Sequence, residues 1–257
     1  MNIGVCAKPG DLPEEVEGLD YIETTVGHLL CPLEGEDTFD QRRREAESAP
    51  CPVTAANCLI PGDLKTTGPD VDKDKLDEYM QTVLRRAQVA GLQILVFGSG
   101  GSRRVPDGFP AGEALEQLTA HLRRWAPMAQ DCDVTLVVEP LNTGECNIIN
   151  AVHAGAELVR QVDHPNVRLL ADTYHMAMER EPALNIRQAG ALIAHAHCAD
   201  SQGRVPLGLG KEDHGAYFKA LKAVGYDGGV SIEAKWSSFA KQLPRALQDL
   251  REQIESA

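Results

Sequence analysis

The feature of this sequence that most constrains its fold is a regular alternation of short apolar runs with longer amphipathic segments. Each apolar run is mostly aliphatic or β-branched, as a strand buried on both faces should be. The segments between the runs carry apolar residues at three- and four-residue spacing, and several end at glycine, which is typical of helices. The eight runs are NIGVC, DYIETTV, VTAANCL, QILVFG, DVTLVVE, VRLLAD, LIAHAHCAD and GVSIEA.

Repeated strand–helix units predict an α/β protein, and we expect the (β/α)8 TIM barrel. Single barrels typically take about 250 residues, so the 257 residues of this chain predict one domain over 1–257. A doubly wound open sheet would alternate in the same way, but it would not bring the ends of the last four strands together. The first unit is short, and Pro182 interrupts the sixth helical segment.

Acidic or imidazole side chains stand at the carboxyl ends of the last four predicted strands. They are Glu139, Asp172, His197 and Glu233. Because the ends of successive barrel strands meet on one face, we expect these side chains to converge. Three carboxylates and one imidazole predict a divalent-metal site. This oxygen-rich set suits Mn²⁺, Mg²⁺ or Co²⁺, whereas Zn²⁺ would more usually bring additional His or Cys ligands.

Long connections rich in glycine and proline follow the third, fourth and seventh predicted strands, where they would cover the active face of a barrel. The connection after the fourth strand contains GSGGSRR. Arg103 or Arg104 could bind an anion there, or the glycines could simply let the chain turn. The Walker ending GK[ST] is absent, and the glycine order does not match a dinucleotide-binding motif.

Composition excludes several classes of function. A formal net charge of −13 opposes binding to nucleic acid, which needs a basic surface. The seven cysteines are odd in number, widely spaced and without a CxxC pair, so we expect reduced thiols. No apolar stretch approaches the ~20 residues that span a bilayer. The first ten residues also lack the apolar core of a signal peptide. We therefore expect a cytoplasmic protein that binds neither nucleic acid nor membrane.

Four segments of the second half carry a family resemblance: VVEPLNTGECNIINA, LLADTYHM, HAHCADSQGRVPLG and SIEAKW. Together they resemble the sugar phosphate isomerase/epimerase superfamily of xylose isomerase-like TIM barrels, and in particular the ketose 3-epimerases of the tagatose 3-epimerase type. The order Glu, Asp, His, Glu and its spacing are close to those of this family. The first half of the chain resembles this family only loosely. The resemblance implies a sugar or sugar derivative as substrate and a divalent ion (Mn²⁺ before Mg²⁺, Co²⁺ or Zn²⁺). Whether the chain forms a homo-oligomer stays open.

The resemblance also implies roles for individual residues. By the resemblance, the metal ligands would be Glu139, Asp172, His197 and Glu233. Glu139 and Glu233 would also form the acid–base pair. The substrate contacts would be Glu145, His175 and Arg204. The chemistry has an independent rationale. A proton beside a carbonyl is weakly acidic, and a chelated cation stabilises the cis-enediolate left when that proton departs. Two carboxylates on opposite faces can remove the proton from one side and return one from the other, which inverts the carbon.

Further candidates lie near the same strand ends. Glu23 ends the second predicted strand and could face the site or serve the fold. His195 points to the same side of its strand as His197, one layer deeper, so we expect packing or support of the ligand. Trp236 and Phe109 are the aromatic residues best placed to stack on a sugar.

Three other functions stay open at this point. A lyase or dehydratase similar to inosose dehydratase would act on a keto-sugar or keto-inositol through the same enediolate. A DNA-repair phosphodiesterase resembling endonuclease IV shares the barrel, but it needs additional histidine ligands for a trinuclear zinc cluster. The strands before Glu139 offer no such set. A non-catalytic sugar-binding module would keep the loops without requiring a metal.

We predict no measurable binding to duplex DNA at physiological salt, because the net charge is −13 and the sequence has no basic stripe. A titration of a duplex that contains an abasic site checks this. Micromolar, salt-sensitive binding would contradict the prediction and favour the endonuclease hypothesis.

Overall fold

The computed structural model describes residues 1–257 and contains a closed barrel of eight parallel strands in sequence order. The predicted TIM barrel is therefore confirmed. Each strand lies within the apolar run that predicts it. The strands are β1 Asn2–Cys6, β2 Tyr21–Thr25, β3 Val53–Asn57, β4 Ile94–Phe97, β5 Thr135–Val138, β6 Val167–Asp172, β7 Ile193–Cys198 and β8 Gly229–Ile232.

Helices connect the strands and form the outer layer. They are α1 Val26–Leu29, α2 Glu36–Glu47, α3 Lys73–Ala90, α4 Gly100–Arg103, α5 Ala111–Asp131, α6 Val152–Val162, α7 Thr173–Met178, α8 Leu184–Ala189, α9 Gly215–Ala223 and α10 Phe239–Ser256. The first unit has only a 3₁₀ turn, Pro9–Asp11. Pro182 lies between α7 and α8, as expected of a residue that cannot continue a helix.

Helix α3 illustrates how local sequence sets the element boundaries. The Asp72 side chain accepts a hydrogen bond from the Lys75 N–H and caps the first turn. Gly91 ends the helix with φ of +74°, a conformation that glycine adopts without steric cost. Between these caps, residues such as Leu76, Met80 and Val83 are buried, so one apolar face packs onto the barrel.

The buried apolar residues form two separate clusters. The main hydrophobic core contains 59 buried residues and includes the packing between helices and strands. A separate small cluster consists of Val96, Val137 and Leu170, on three neighbouring strands. By the period of two along a strand, Val137 points to the same side as Glu139 and Leu170 to the same side as Asp172. The small cluster therefore forms an apolar layer beneath the polar strand ends.

The register of the strands brings polar residues to one end of the barrel. Asp172 of β6 and His197 of β7 are direct partners across the sheet. Glu139 and Glu233 follow β5 and β8 directly. In addition, none of the helices combines the length and apolar character needed to cross a membrane.

Candidate metal centre

The structure brings together the four residues predicted to hold an ion. Glu139, Asp172, His197 and Glu233 each offer one ligand atom, and these atoms lie within 4.8 Å of one another. Three of the side chains are buried and Glu233 is partly exposed, at 24%. Strand-end placement alone predicted this convergence, because adjacent parallel strands leave their last side chains on the same face.

Two of these residues offer a ligand atom that faces the other members of the cluster. Asp172 Oδ1 accepts a hydrogen bond from the Tyr174 N–H at 2.8 Å, whereas its Oδ2 is buried without a partner. His197 Nε2 lies 2.9 Å from Glu23 Oε1, so the tautomer assigned from this network places a proton on Nε2. Its Nδ1 lies 3.3 Å from Glu139 Oε1 and 3.3 Å from Glu233 Oε2. The donor set therefore fits a divalent cation.

The buried carboxylates of the cluster would be stabilised by a positive charge among them. Burial and the neighbouring charge of Glu139 raise the pKa of Asp172 to about 7, and burial also raises the pKa of Glu139. Burial would lower the pKa of His197, but Glu23 and Glu139 outweigh it and raise that pKa well above its ordinary value. A proton on His197 thus supplies positive charge that an ion at Nδ1 would replace.

Glu23 supports the centre from the layer below. It is fully buried and accepts hydrogen bonds from His197, from His195 Nε2 at 2.7 Å and from Ser231 Oγ at 2.7 Å. Burial raises the pKa of Glu23, but the two histidines outweigh it and hold the pKa well below its usual value. His195 holds Glu23, and Glu23 in turn holds the His197 ring, the arrangement expected behind a histidine that is to bind a metal.

Arg204 and Glu145 lie at the rim of the centre. Arg204 Nη2 donates to Glu233 Oε2 at 2.5 Å, Nη1 donates to Glu145 Oε1 at 3.2 Å, and the guanidinium stacks 4.5 Å over the Tyr174 ring. Burial lowers the pKa of Arg204, but Glu233 and the other acidic groups raise it above its ordinary value. Glu145 is 39% exposed. Both side chains are thus placed to exchange partners with a ligand.

His175 faces the same centre from the start of α7. Its Nδ1 accepts from the Asn142 N–H at 3.1 Å and lies 2.8 Å from Asn142 Nδ2, so the ring proton resides on Nε2. This Nε2 has no hydrogen-bond partner and lies 3.5 Å from Asp172 Oδ2. Burial and the charge of Arg204 lower the pKa of His175 to about 3. A neutral ring therefore presents one free N–H to the centre.

Sequence reasoning missed Asn142 and Asn57. Asn142 sets the tautomer of His175, and its position three residues after Glu139 was the only available signal. Asn57, the last residue of β3, places its Nδ2 3.4 Å from Glu233 Oε1. A polar residue that ends an otherwise apolar strand is the pattern that predicted the metal ligands, and it could have identified Asn57 as well.

A cavity of about 610 Å³ opens beside the centre. Glu139, Glu145, Arg204 and Glu233 line one side of it. Trp236 and Phe109 do not, so the expectation that they stack on a sugar is wrong. Trp236 instead packs edge-on against Phe239, with 4.9 Å between ring centroids, and Phe109 packs against the main core.

The GSGGSRR segment supports the site backbone and does not offer Arg103 to an anion. Arg103 is fully buried and donates to the carbonyl oxygens of Phe97 at 3.2 Å and Glu139 at 2.8 Å. Arg104 donates to the carbonyl oxygen of Glu145 at 2.9 Å. The glycines permit close contact, because a Cβ on Gly98 would overlap Glu139 Oε2.

Comparison with known proteins relates the chain to a family. The family model described as xylose isomerase-like TIM barrel matches residues 15–256. The D-psicose 3-epimerase of Ruminiclostridium cellulolyticum is 35% identical over 119 residues, which are 46% of this chain and 40% of that protein. The L-ribulose 3-epimerase of Mesorhizobium japonicum is 34% identical over 145 residues, 52% of this chain and 48% of that protein. The matched segments thus span less than half the length of these curated relatives.

The fold is shared with solved structures over the whole chain. The crystal structure of D-psicose 3-epimerase with D-tagatose from Clostridium cellulolyticum H10 superposes with a TM-score of 0.81. The sequence identity is 21%, and the superposition covers 100% of this chain and 99% of the other. At this identity the likeness concerns the fold.

We predict that Asp172→Asn steeply reduces metal occupancy, because it removes a charged ligand while the amide oxygen can still cap α7 through the Tyr174 N–H. Elemental analysis after dialysis measures the occupancy. Full occupancy in the variant would count against Asp172 as a ligand.

We also predict that Gly98→Ala weakens metal binding about tenfold or more, the size of effect that follows when a ligand is pushed out of its orientation. The new methyl group would overlap Glu139 Oε2. Gly27→Ala is the matched control, since Gly27 lines the same cavity and a Cβ there meets nothing within 4 Å. Equal affinities of the two variants, measured by competition with a chelator, would show that Glu139 is not positioned by this contact.

Proposed function

The chain belongs to the xylose isomerase-like TIM barrel family, and from this premise we propose that it is a divalent-metal-dependent sugar epimerase that inverts C3 of a ketose. The observation that carries the proposal is the convergence of Glu139 and Glu233 on His197 Nδ1, each with a carboxylate oxygen 3.3 Å away. The similar D-psicose and L-ribulose 3-epimerases support the substrate class.

One divalent ion would be held by Glu139, Asp172, His197 and Glu233, with Mn²⁺ as the first candidate and Mg²⁺, Co²⁺ or Zn²⁺ as alternatives. When bound, such an ion polarises the ketose carbonyl and stabilises the negative charge that develops as the neighbouring C–H proton leaves. The buried, unpartnered Asp172 Oδ2 and the Nδ1 of His197, which faces both Glu139 and Glu233, support this ligand set.

Glu139 and Glu233 are arranged to act on opposite faces of one carbon. They extend from β5 and β8, and the two strands between these carry Asp172 and His197. Burial raises the pKa of Glu139. Burial would also raise that of Glu233, but His197 and Arg204 lower it below its usual value. Two carboxyl groups with proton affinities moved apart suit an acid–base pair, in which one removes a proton and the other returns one.

The remaining side chains of the rim would orient the sugar. Neutral His175 offers its Nε2–H to a carbonyl or hydroxyl oxygen, and the Arg204 guanidinium offers several donors. Glu145 can accept from a sugar hydroxyl. In the structure Arg204 bridges Glu145 and Glu233, so a bound sugar would replace part of these contacts.

The arrangement disfavours a trinuclear zinc nuclease. That chemistry needs several histidines on the earlier strands, whereas Glu23 lies within β2, Asn57 ends β3 and Gly98 follows β4. A dehydratase would use the same proton abstraction and then expel a hydroxyl group, so the reaction products must separate it from an epimerase.

We predict that Glu139→Gln and Glu233→Gln each reduce ketose 3-epimerisation by about 10²- to 10⁴-fold, because each removes one proton acceptor while keeping the side-chain shape. The losses should not add in the double variant, since one missing face already stops inversion. The measurement is product formation from a panel of ketoses in D₂O with metal-loaded protein. Deuterium uptake at C3 without inversion in a single variant would identify the face that still works.

Glu157→Gln is the control, because the exposed Glu157 on α6 undergoes the same chemical change outside the barrel. It should epimerise at the parental rate. Epimerisation by both active-site variants near that rate would make the two-carboxylate mechanism wrong. Loss of one water mass from the product would replace the epimerase proposal with the dehydratase.

A further inference from the structure

A second cluster of metal-ligand side chains lies in the segment between β7 and α9. Asp200, Glu212 and His214 each offer one ligand atom, and these atoms lie within 4.8 Å of one another. None of the three belongs to the first centre. Asp200 and His214 are fully buried, whereas the Glu212 side chain is 31% exposed.

The cluster contains buried polar atoms that nothing in the protein satisfies. Asp200 Oδ1 and both ring nitrogens of His214 have no hydrogen-bond partner. The other carboxylate oxygens are held in place by the backbone: Asp200 Oδ2 accepts from the Gly210 N–H at 2.6 Å, and Glu212 Oε2 accepts from the Ser201 N–H. Buried polar groups are normally paired, so an orphaned carboxylate oxygen facing an orphaned imidazole nitrogen requires a partner.

The distances within the cluster suit ligands of a common ion. His214 Nε2 lies 3.6 Å from Asp200 Oδ1 and 3.7 Å from Glu212 Oε2. Both separations exceed the range of a hydrogen bond. They are close to the roughly 3.4 Å between two ligands of a tetrahedral ion with bonds of about 2.1 Å. The cluster also brings two carboxyl groups together around a buried imidazole, a set of donors that a cation would satisfy.

We propose that Asp200, Glu212 and His214 form a second divalent-cation site, with one imidazole nitrogen and two carboxylate oxygens as protein ligands. The nitrogen favours a metal of the Zn²⁺ class over Mg²⁺. The exposed part of Glu212 provides access for the ion and for a water molecule as fourth ligand. This inference is independent of the proposed epimerase function.

The site would fix the loop that carries Arg204. Asp200 begins this loop, Glu212 and His214 end it, and Asp200 pairs with Val205 in an isolated β-bridge. Arg204 itself has φ of +52°, a left-handed conformation that a non-glycine residue holds only when its surroundings impose it. An ion that ties the two ends of the loop together would help to impose it.

The experiment counts ions. The full chain is stripped with a chelator, reloaded with Zn²⁺ alone, dialysed and analysed for zinc per chain. We expect two ions in the parent, one in His214→Gln and one in Asp172→Asn, since each variant loses a different site. Asp213→Asn is the matched control in the same loop, because the exposed Asp213 only caps the Gly215 N–H, and it should retain two ions.

Because His214 is buried, its replacement can also disturb folding, and a second variant separates that effect from the loss of a ligand. Glu212→Gln changes a partly exposed side chain and should weaken the second ion about tenfold or more in a Zn²⁺ titration. Zinc content that is the same in the parent, His214→Gln and Glu212→Gln would overturn the proposal. If the first centre binds no ion, the parent should hold one that persists in Asp172→Asn and disappears in His214→Gln, so failure of either site is distinguishable.

Discussion

The candidate site depends on the hydrogen bond between His197 Nε2 and Glu23. This bond places the ring proton on Nε2 and leaves Nδ1 to face the carboxylates of the last strands. Glu23 is itself held by His195 and Ser231, so β2, β7 and β8 are joined beneath the centre. Without this bond the imidazole ring could turn, and Glu139 and Glu233 would lose the Nδ1 that lies 3.3 Å from each of them.

The site and the fold are linked by charge as well as by hydrogen bonds. A TIM barrel brings strand ends together, and here that geometry collects three carboxylates in a place of low solvent access. Such a cluster is unfavourable unless positive charge accompanies it. His197 supplies part of that charge from below and Arg204 supplies part from the loop above. The same arrangement provides the oxygen-rich coordination that a divalent ion requires, so the electrostatic cost and the proposed function have a common origin.

The sequence was sufficient to predict the barrel and the four strand-end residues, because strand period and strand order determine which side chains reach one face. It could not place residues whose orientation depends on loops. Arg103 follows a glycine-rich turn that folds it inward to backbone carbonyls. Trp236 lies beyond the end of β8, where the alternation of side chains no longer holds, and it packs against Phe239. Asn142 acts through a contact with His175 on α7, 33 residues away in the sequence, which no local pattern encodes.

The two glutamates proposed for acid–base chemistry both follow a strand end, but the side chains that surround them differ. An arginine donates to the carbonyl oxygen of each: Arg103 to Glu139 at 2.8 Å, and Arg204 to Glu233 at 3.3 Å. Arg103 is fully buried and donates to the carbonyl oxygens of Phe97 and Glu139, so it fixes the backbone at Glu139. Arg204 also donates to the Glu233 carboxylate, which favours the anion. Burial raises the pKa of Glu139, whereas at Glu233 the effect of burial is outweighed by His197 and Arg204, which lower the pKa. The two identical side chains therefore have unequal proton affinities, which suits the proposed acid–base pair.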